Sequence, residues 1–370
     1  MHILHFSPHL APGGTAQMAA DFACALQRTE QCTNTVLSPA NELVSRIRLC
    51  GAEHRICRKP SLFNAFAEMQ RLRRIIRKES PHILQVYSPQ AAAIAWWACR
   101  KLPVHHKPLC VGVLSAFPQS GFITGFWKKC DYFVTISKHL RQHLLKGLLS
   151  TRRKNLLLIP YGVNQNQCFP QFCVSADHRE QWICAHPEAK NGLTLCIPGA
   201  ITPLHGLQDL APILSGLLRM GIPTHAFIAG DSRKADPAFA EELKKRFAAA
   251  DLSEHISWIG ARPDLREVMC ECDVTLCLAH SPATHNHTIL EALALGRPVA
   301  AYDHGAVGEL LEAFLPEGRV APQDTTAMVD TLSQWHTYRP STISAIPYPY
   351  RLADSADSLL RLYSSITGHE

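Results

Sequence analysis

The residues of this chain best placed to do chemistry lie between Ser281 and Val299. The run Ser281-Pro282-Ala283-Thr284-His285-Asn286-His287-Thr288-Ile289-Leu290-Glu291 leads into Ala292-Leu293-Ala294-Leu295, then Gly296-Arg297-Pro298-Val299. The pattern predicts a loop, a helix over Thr288–Leu295 and a turn into a strand. The first turn of such a helix leaves N–H groups without intrahelical acceptors, and those near Asn286 and Thr288 would meet a phosphate. Glu291, one turn further on, is placed to accept two hydroxyl protons of a ribose. His205, His285, His287 and His304 add imidazoles that can take up a proton beside an anion.

Two other chemistries compete for the same residue types. His280, His285 and His287 with Asp303 or His304 have the donor atoms of a zinc site, but spacing along one loop does not build a tetrahedron, so no metal is expected. The 14 cysteines often sit in apolar runs such as Thr194-Leu195-Cys196-Ile197, which reads as core packing rather than nucleophilic Cys–His pairing. No C-x-x-C occurs and no secretory signal precedes Ile3, so reduced thiols in a cytoplasm are expected.

A third candidate is Pro12-Gly13-Gly14-Thr15, between the strand-sized run Ile3–Phe6 and a helical pattern over Gln17–Leu26. Glycines there let the backbone approach a phosphate or sugar closely. A third glycine and an acid about 20 residues on are missing, so NAD is disfavoured.

These loops need elements to hold them. Apolar runs at Ile3–Phe6, Thr35–Leu37, Ile83–Val86, Cys110–Leu114, Phe133–Ile136 and Leu156–Ile159 alternate with amphipathic patterns such as Leu62–Lys78 and Lys138–Leu149. That order predicts a parallel sheet covered by helices on both faces. After an irregular stretch around Asn164–His186 the pattern restarts. Strands are expected at Thr194–Ile197, His225–Ile228, Ile256–Trp258, Val274–Leu278 and Pro298–Ala301, and helices at Leu207–Met220, Pro237–Ala249, Leu265–Glu271 and Thr288–Leu295. Pro340–Tyr350 breaks it before a last helix, Ala353–Ile366, expected to pack away from the second sheet. The fold class is α/β, two doubly wound Rossmann-like domains. The boundaries are residues 1–168, 169–345 and a terminal helix segment 346–370.

Charge divides the same way. The chain carries +6 overall, but residues 1–170 hold 22 Lys and Arg against 7 Asp and Glu, a charge of +15, which leaves −9 for the rest. The helix Asn64–Lys78 sets Phe66, Met69, Leu72 or Arg73, and Ile76 on one stripe, with Arg71, Arg74, Arg77 and Lys78 elsewhere. A basic amphipathic helix suits an anionic membrane surface. The longest apolar stretch, near Ala91–Cys99, is too short to span a bilayer, which needs about 20 residues. No nucleic-acid reader module is recognisable, so nucleic acid is not an expected partner.

The order of landmarks resembles the retaining GT-B glycosyltransferases of family four, especially the bacterial lipopolysaccharide-core and cell-surface polysaccharide enzymes. The resemblance rests on Gly13-Gly14, Ile159-Pro160-Tyr161-Gly162-Val163-Asn164, Gly199 to Gly206, and Ile228-Ala229-Gly230-Asp231. It continues through Trp258-Ile259-Gly260, the Thr288–Val299 block and Tyr302 to Glu309. It implies two domains facing across a cleft, with the terminal helix crossing back to the first. It also implies an acceptor bound by the N-terminal domain, a nucleotide-diphosphate sugar bound by the C-terminal one, and retention without a required metal or cofactor.

The sequence departs from that pattern where donor contacts are expected. The family's diphosphate Arg and Lys fall at Ala200 and His205, the first of its paired glutamates at Ala283, and its Phe-Gly at His285-Asn286. The Glu-Arg after Gly-Gly is Ala16-Gln17, and the N-domain His position falls in Val113-Leu114-Ser115-Ala116, where Ser115 offers a hydroxyl. The resemblance therefore assigns Glu291, His205 and Ser115 to catalysis. It assigns Gly13, Gly14, Gly199, His285, Asn286, His287, Thr288 and Glu291 to the donor. The expected enzyme moves a sugar to a lipopolysaccharide or other envelope glycan, lipid-linked or not, in the cytoplasm or on the inner membrane face. The competing reading is a GT-B pseudoenzyme that serves as a scaffold or subunit.

Overall fold

The short apolar runs pair into two all-parallel sheets in the computed structural model, which describes residues 1–8, 14–40, 42–59, 64–118, 121–190, 192–230 and 236–368. The chain divides into two units. Met1–Gly162 with Tyr348–Glu370 make the first, and Val163–Pro347 the second.

Unit 1 runs β1 (His2–Phe6), α1 (Gly14–Gln27), β2 (Thr33–Ser38), α2 (Leu43–Leu49), β3 (Glu53–Ile56), α3 (Ala65–Glu79), β4 (Ile83–Val86) and α4 (Pro89–Cys99). It continues with β5 (Leu109–Leu114), β6 (Tyr132–Thr135), α5 (Lys138–Lys146) and β7 (Leu156–Leu158). The strand order β3-β2-β1-β4-β5-β6-β7 reverses between β1 and β4. Strands buried on both faces carry near-continuous apolar side chains, as in β1 and β4, because helices cover both sides of a parallel sheet. Ser88 and Ser137 open α4 and α5 by accepting from the backbone N–H three residues on.

Unit 2 runs α6 (Ala176–Ala185), β8 (Leu193–Pro198), α7 (Leu210–Arg219), β9 (Thr224–Ala229), α8 (Pro237–Ala249), β10 (Ile256–Trp258) and α9 (Leu265–Glu271). Then come β11 (Val274–Cys277), α10 (His287–Ala294), β12 (Val299–Tyr302), α11 (Gly305–Phe314), β13 (Arg319–Val320) and α12 (Thr325–Thr337). Its order is β10-β9-β8-β11-β12-β13, reversing between β8 and β11. The final helix α13 (Leu352–Thr367) joins the core of unit 1, where Leu352, Ala356, Leu359 and Tyr363 are buried among side chains of that sheet. Ser355 Oγ donates to the Pro160 carbonyl at 2.7 Å and accepts from the Gly162 N–H at 3.0 Å. A β-carbon at Gly162 would overlap the Arg351 backbone, so only glycine admits the helix this closely.

Several expectations need correction. The stretch Asn164–His186 contains helix α6 rather than only irregular chain. Only its Trp182 is buried, so no apolar stripe announces it. Phe66 leaves the buried stripe of α3 and is 71% exposed, and Glu68 joins Met69, Leu72 and Ile76 inside. Cys173 and Cys184 are exposed, so the reading of the cysteines as core fails at these two. Among the described residues no helix is long and apolar enough to cross a membrane.

Candidate functional site

Parallel sheets gather ligands at the carboxyl ends of their strands, where the strand order reverses. In unit 2 that point lies between β8 and β11, and the loops that follow these strands carry most of the residues singled out by type. After β8, Gly199 (φ +142°) donates its N–H to the Ala229 carbonyl at 3.0 Å. The chain then turns through Pro203–His205 to Gly206 (φ +71°), where a β-carbon would overlap the Leu278 carbonyl oxygen. The His280 N–H donates to the Leu204 carbonyl at 2.9 Å and ties the β8 loop to the β11 loop.

Beneath these loops lies a polar network. Asp209 Oδ2 accepts from Tyr302 Oη at 2.6 Å and meets His280 Nε2 at 2.7 Å, while Gln208 Nε2 donates to His280 Nδ1 at 3.1 Å. Burial and the Asp209 hydrogen bond raise the Tyr302 phenol pKa, so it acts as a donor at any ordinary pH. The third loop follows β12. The His304 Nε2 donates to the Ala279 carbonyl at 2.7 Å, and the Ala306 N–H, in the first turn of α11, donates to the Ala283 carbonyl at 2.8 Å. Gly305 packs so tightly on the Ala283 backbone that a β-carbon would clash.

Helix α10 starts here. Asn286 is its N-cap, with the side-chain carbonyl accepting from the Ile289 N–H at 3.1 Å and Nδ2 donating to Cys277 Sγ at 3.6 Å. The cap takes up one of the orphan N–H groups of the first turn and leaves the helix dipole directed at the loop. Glu291 lies one turn in, with its side chain 18% exposed. Its Oε1 accepts from Arg266 Nε at 3.3 Å and from Cys168 Sγ at 3.9 Å, and His287 Nε2 lies 3.9 Å away. Arg266 and Cys168 escape detection by sequence because they belong to α9 and to an irregular segment with no motif of their own.

The imidazoles differ from the protonated picture. Burial, with the neighbouring His287 charge, holds His285 down to about 3. The His205 pKa is lowered by partial desolvation, and its Nδ1 shares a 2.7 Å hydrogen bond with Thr202 Oγ1. The neutral forms of both rings are favoured in the bare protein, which reverses the expectation that they stand in for fixed charge. Among the described residues no group of three or more His, Cys, Asp or Glu is arranged to hold a metal ion.

In unit 1, Ser115 follows β5 and lines a cavity of about 650 Å³ with Thr15, Tyr87, Ser88, Phe117 and Trp127, beside the reversal between β1 and β4. Gly14 begins α1 at φ +59° with open space around it, whereas Gly13 lies outside the described residues. Below this point His5 is wholly buried between Tyr87 Oη at 2.8 Å and Asn34 Oδ1 at 3.1 Å, and desolvation pushes its pKa down to about 4. Asp21 binds both Arg46 and the Tyr161 hydroxyl. His5, Asp21 and Arg46 carry no motif that marks them in the sequence.

Residues 12–167 match the family model described as Glycosyltransferase Family 4, and residues 178–341 match the model described as Glycosyl transferases group 1. The chain belongs to the GT-B glycosyltransferases of the family-four type. A curated relative of the chain is the lipopolysaccharide core biosynthesis mannosyltransferase LpsB of Rhizobium meliloti (strain 1021), 32% identical over 122 residues. The match takes in 32% of this chain and 34% of the length of LpsB. Among solved structures, a glycosyltransferase from Rickettsia africae ESF-5 is similar at TM-score 0.86 and 18% identity, over 100% of this chain and 99% of that one. Anabaena HepE in complex with UDP-glucose is similar at TM-score 0.79 and 15% identity, over 99% and 100%. At those identities the likeness is one of fold. The structure brings Gly199, His205, His285, Asn286, His287, Thr288 and Glu291 to one edge of unit 2. Ser115 and Gly14 belong to unit 1.

Proposed function

We propose that the protein transfers a sugar, with retention, from a nucleotide-diphosphate donor to a lipopolysaccharide core or other envelope glycan. The observation that carries this reading is the position of Glu291. It lies one turn into a helix whose capped N-terminus opens at the strand reversal of unit 2. A diphosphate on the first turns of α10 and α11 meets N–H groups and two helix dipoles, and these stabilise the charge that grows on the leaving group. Glu291, oriented by Arg266, accepts the ribose hydroxyls, and His205 stands at the edge where it can donate to a phosphate oxygen. Gly199 in unit 2 allows close approach of the donor; in unit 1, Gly14 allows close approach of donor or acceptor and Ser115 offers a hydroxyl. The LpsB relative supports a lipopolysaccharide acceptor, and the UDP-glucose bound to HepE supports a nucleotide-sugar donor. The charge of +15 over residues 1–170 supports work at the inner face of an anionic membrane, in the cytoplasm.

A second reading is favoured by the same site. Ala200 and Ala283 supply no charge, His285 is held neutral, and Glu291 already has Arg266 for a partner. A protein of that kind serves as a scaffold in glycan assembly. Calorimetry and transfer assays with a panel of nucleotide sugars separate the two. Micromolar donor binding abolished by Glu291→Ala establishes the enzyme, whereas silence across the panel with a stable partner in pull-down establishes the scaffold. In that case Ala200→Arg, His205→Lys and Ala283→Glu together are expected to create donor binding where there was none.

A further inference from the structure

We propose that the trough between edge strand β3 and helix α3 of unit 1 binds an acidic oligosaccharide, a chain of hydroxyl-bearing sugars that carries carboxylate or phosphate groups. The proposal rests on the glycosyltransferase reading only in making this ligand part of the acceptor. The trough encloses about 570 Å³ and is lined by Arg55, Arg58, Arg71, Arg74, Lys78 and Glu68. Strand β3 is the sheet edge, so the trough is open along its length. Arg71, Arg74 and Lys78 share one face of α3 at i, i+3 and i+7 and span about 10 Å of helix, enough to meet more than one anionic group of a short glycan.

Four of these five cations are uncommitted. Arg55 is taken up by Glu53 at 2.9 Å and Glu79 at 3.4 Å. Among the described residues no ion pair holds Arg58, Arg71, Arg74 or Lys78. Two acids line the trough: Glu79 is taken up by Arg55 and Thr35, and Glu68 is the sharper clue. Glu68 is only 5% exposed, and its Oε2 has no hydrogen-bond partner. A buried acceptor left without a donor is costly. A bare anion makes that worse, while a sugar hydroxyl beside the anion supplies the missing proton. The pairing of free cations with a buried, donor-seeking carboxylate therefore selects a ligand with both acidic groups and hydroxyls. A bilayer surface fits the trough poorly, because the exposed large apolar side chains of α3 and α4, Phe66 and Trp97, line a separate groove between those helices.

The test titrates the full chain by calorimetry with trigalacturonate, uncharged maltotriose, inorganic phosphate and phosphatidylglycerol vesicles, and separately with UDP-glucose. Trigalacturonate is expected to bind at least tenfold more tightly than maltotriose or phosphate. Its affinity should fall at least tenfold in an Arg71→Gln/Arg74→Gln variant with unchanged Tm, and several-fold in Glu68→Gln. Equal binding of maltotriose or phosphate, trigalacturonate binding that survives the double substitution, or vesicle capture without trigalacturonate binding overturns the proposal. UDP-glucose reports the donor site on its own. Donor silence with trigalacturonate bound removes the glycosyltransferase reading alone, and donor binding without trigalacturonate removes the trough alone.

Discussion

At Glu291 one carboxylate oxygen already meets Arg266, Cys168 and, more distantly, His287, which fixes the side chain before any ligand arrives. Positioned groups of this kind favour binding by lowering the ordering cost. The Cys168 thiol contributes only as a donor, since burial and the Glu291 charge push its pKa up to about 12. His285 makes the residue-scale prediction. Its folded pKa is lowered to about 3 from the usual 6.5, so below that usual value the unfolded chain binds a proton the folded chain refuses. Stability must then fall as pH drops from about 6.5 towards 3, by at most about 1.4 kcal/mol per pH unit for this one group. His285→Phe, which restores the aromatic type the family resemblance places there, removes the penalty. Thermal melts at pH 7, 6, 5 and 4 are expected to show the variant gaining on the parent at each step down. A constant offset between the two would mean that His285 titrates normally in the folded state. The residue types at positions 285, 287 and 291 were legible in sequence. The sign of the imidazole shift was not, because burial comes from the packing of loops distant in the chain.

At the scale of elements, the N-terminus of α10 joins structure to binding through Asn286. Its side-chain oxygen caps the helix, and an aspartate caps about as well while adding a negative charge where a diphosphate would come. Asn286→Asp is therefore expected to keep the Tm of the parent and to weaken nucleotide-sugar binding at least tenfold. Asn286→Ala should cost about 1 kcal/mol of stability, as measured by urea unfolding. Equal donor affinity in parent and Asp variant would place the phosphates elsewhere. Most strands legible in the sequence carry apolar runs buried on both faces, such as β4 and β9. Those missed lack that signal. Edge strand β3 is Glu53-His54-Arg55-Ile56, and β13 is two residues long. Helix α2 buries only Ile47 and α6 only Trp182, while α4 is apolar nearly all round, so none of the three shows a clean amphipathic period. The reading that takes Tyr302 to Glu309 as a motif also overlooks that Gly305 begins α11.

At the scale of the whole molecule, the division of charge into +15 and −9 coincides roughly with two units that each have their own sheet. The break at Pro340–Tyr350 made the separate packing of the last helix legible, but not what holds it. The structure supplies the anchors: Tyr363 donates to the Gln85 side chain of β4, Ser355 bridges Pro160 and Gly162, and Asp354 pairs with Arg351 at the start of the helix. Unit 1 is thus discontinuous, and its core is closed by the end of the chain. Burying Leu352, Leu359, Leu360, Leu362 and Tyr363 at about 1.5–3 kcal/mol for each large side chain gives roughly 8–15 kcal/mol as an upper estimate, comparable with the net stability of a domain. A chain that stops at Pro347 is expected to lose amide-exchange protection across β1, β4 and β5 while α7, β8 and β9 stay protected, because Val163–Pro347 keeps its own core. Tyr363→Phe should act milder, unpairing the Gln85 amide at a cost of about 1–3 kcal/mol confined to unit 1. Loss of protection in both units on truncation would show that they fold as one cooperative body, and the helix would then be a clamp on the whole chain rather than a part of its first domain.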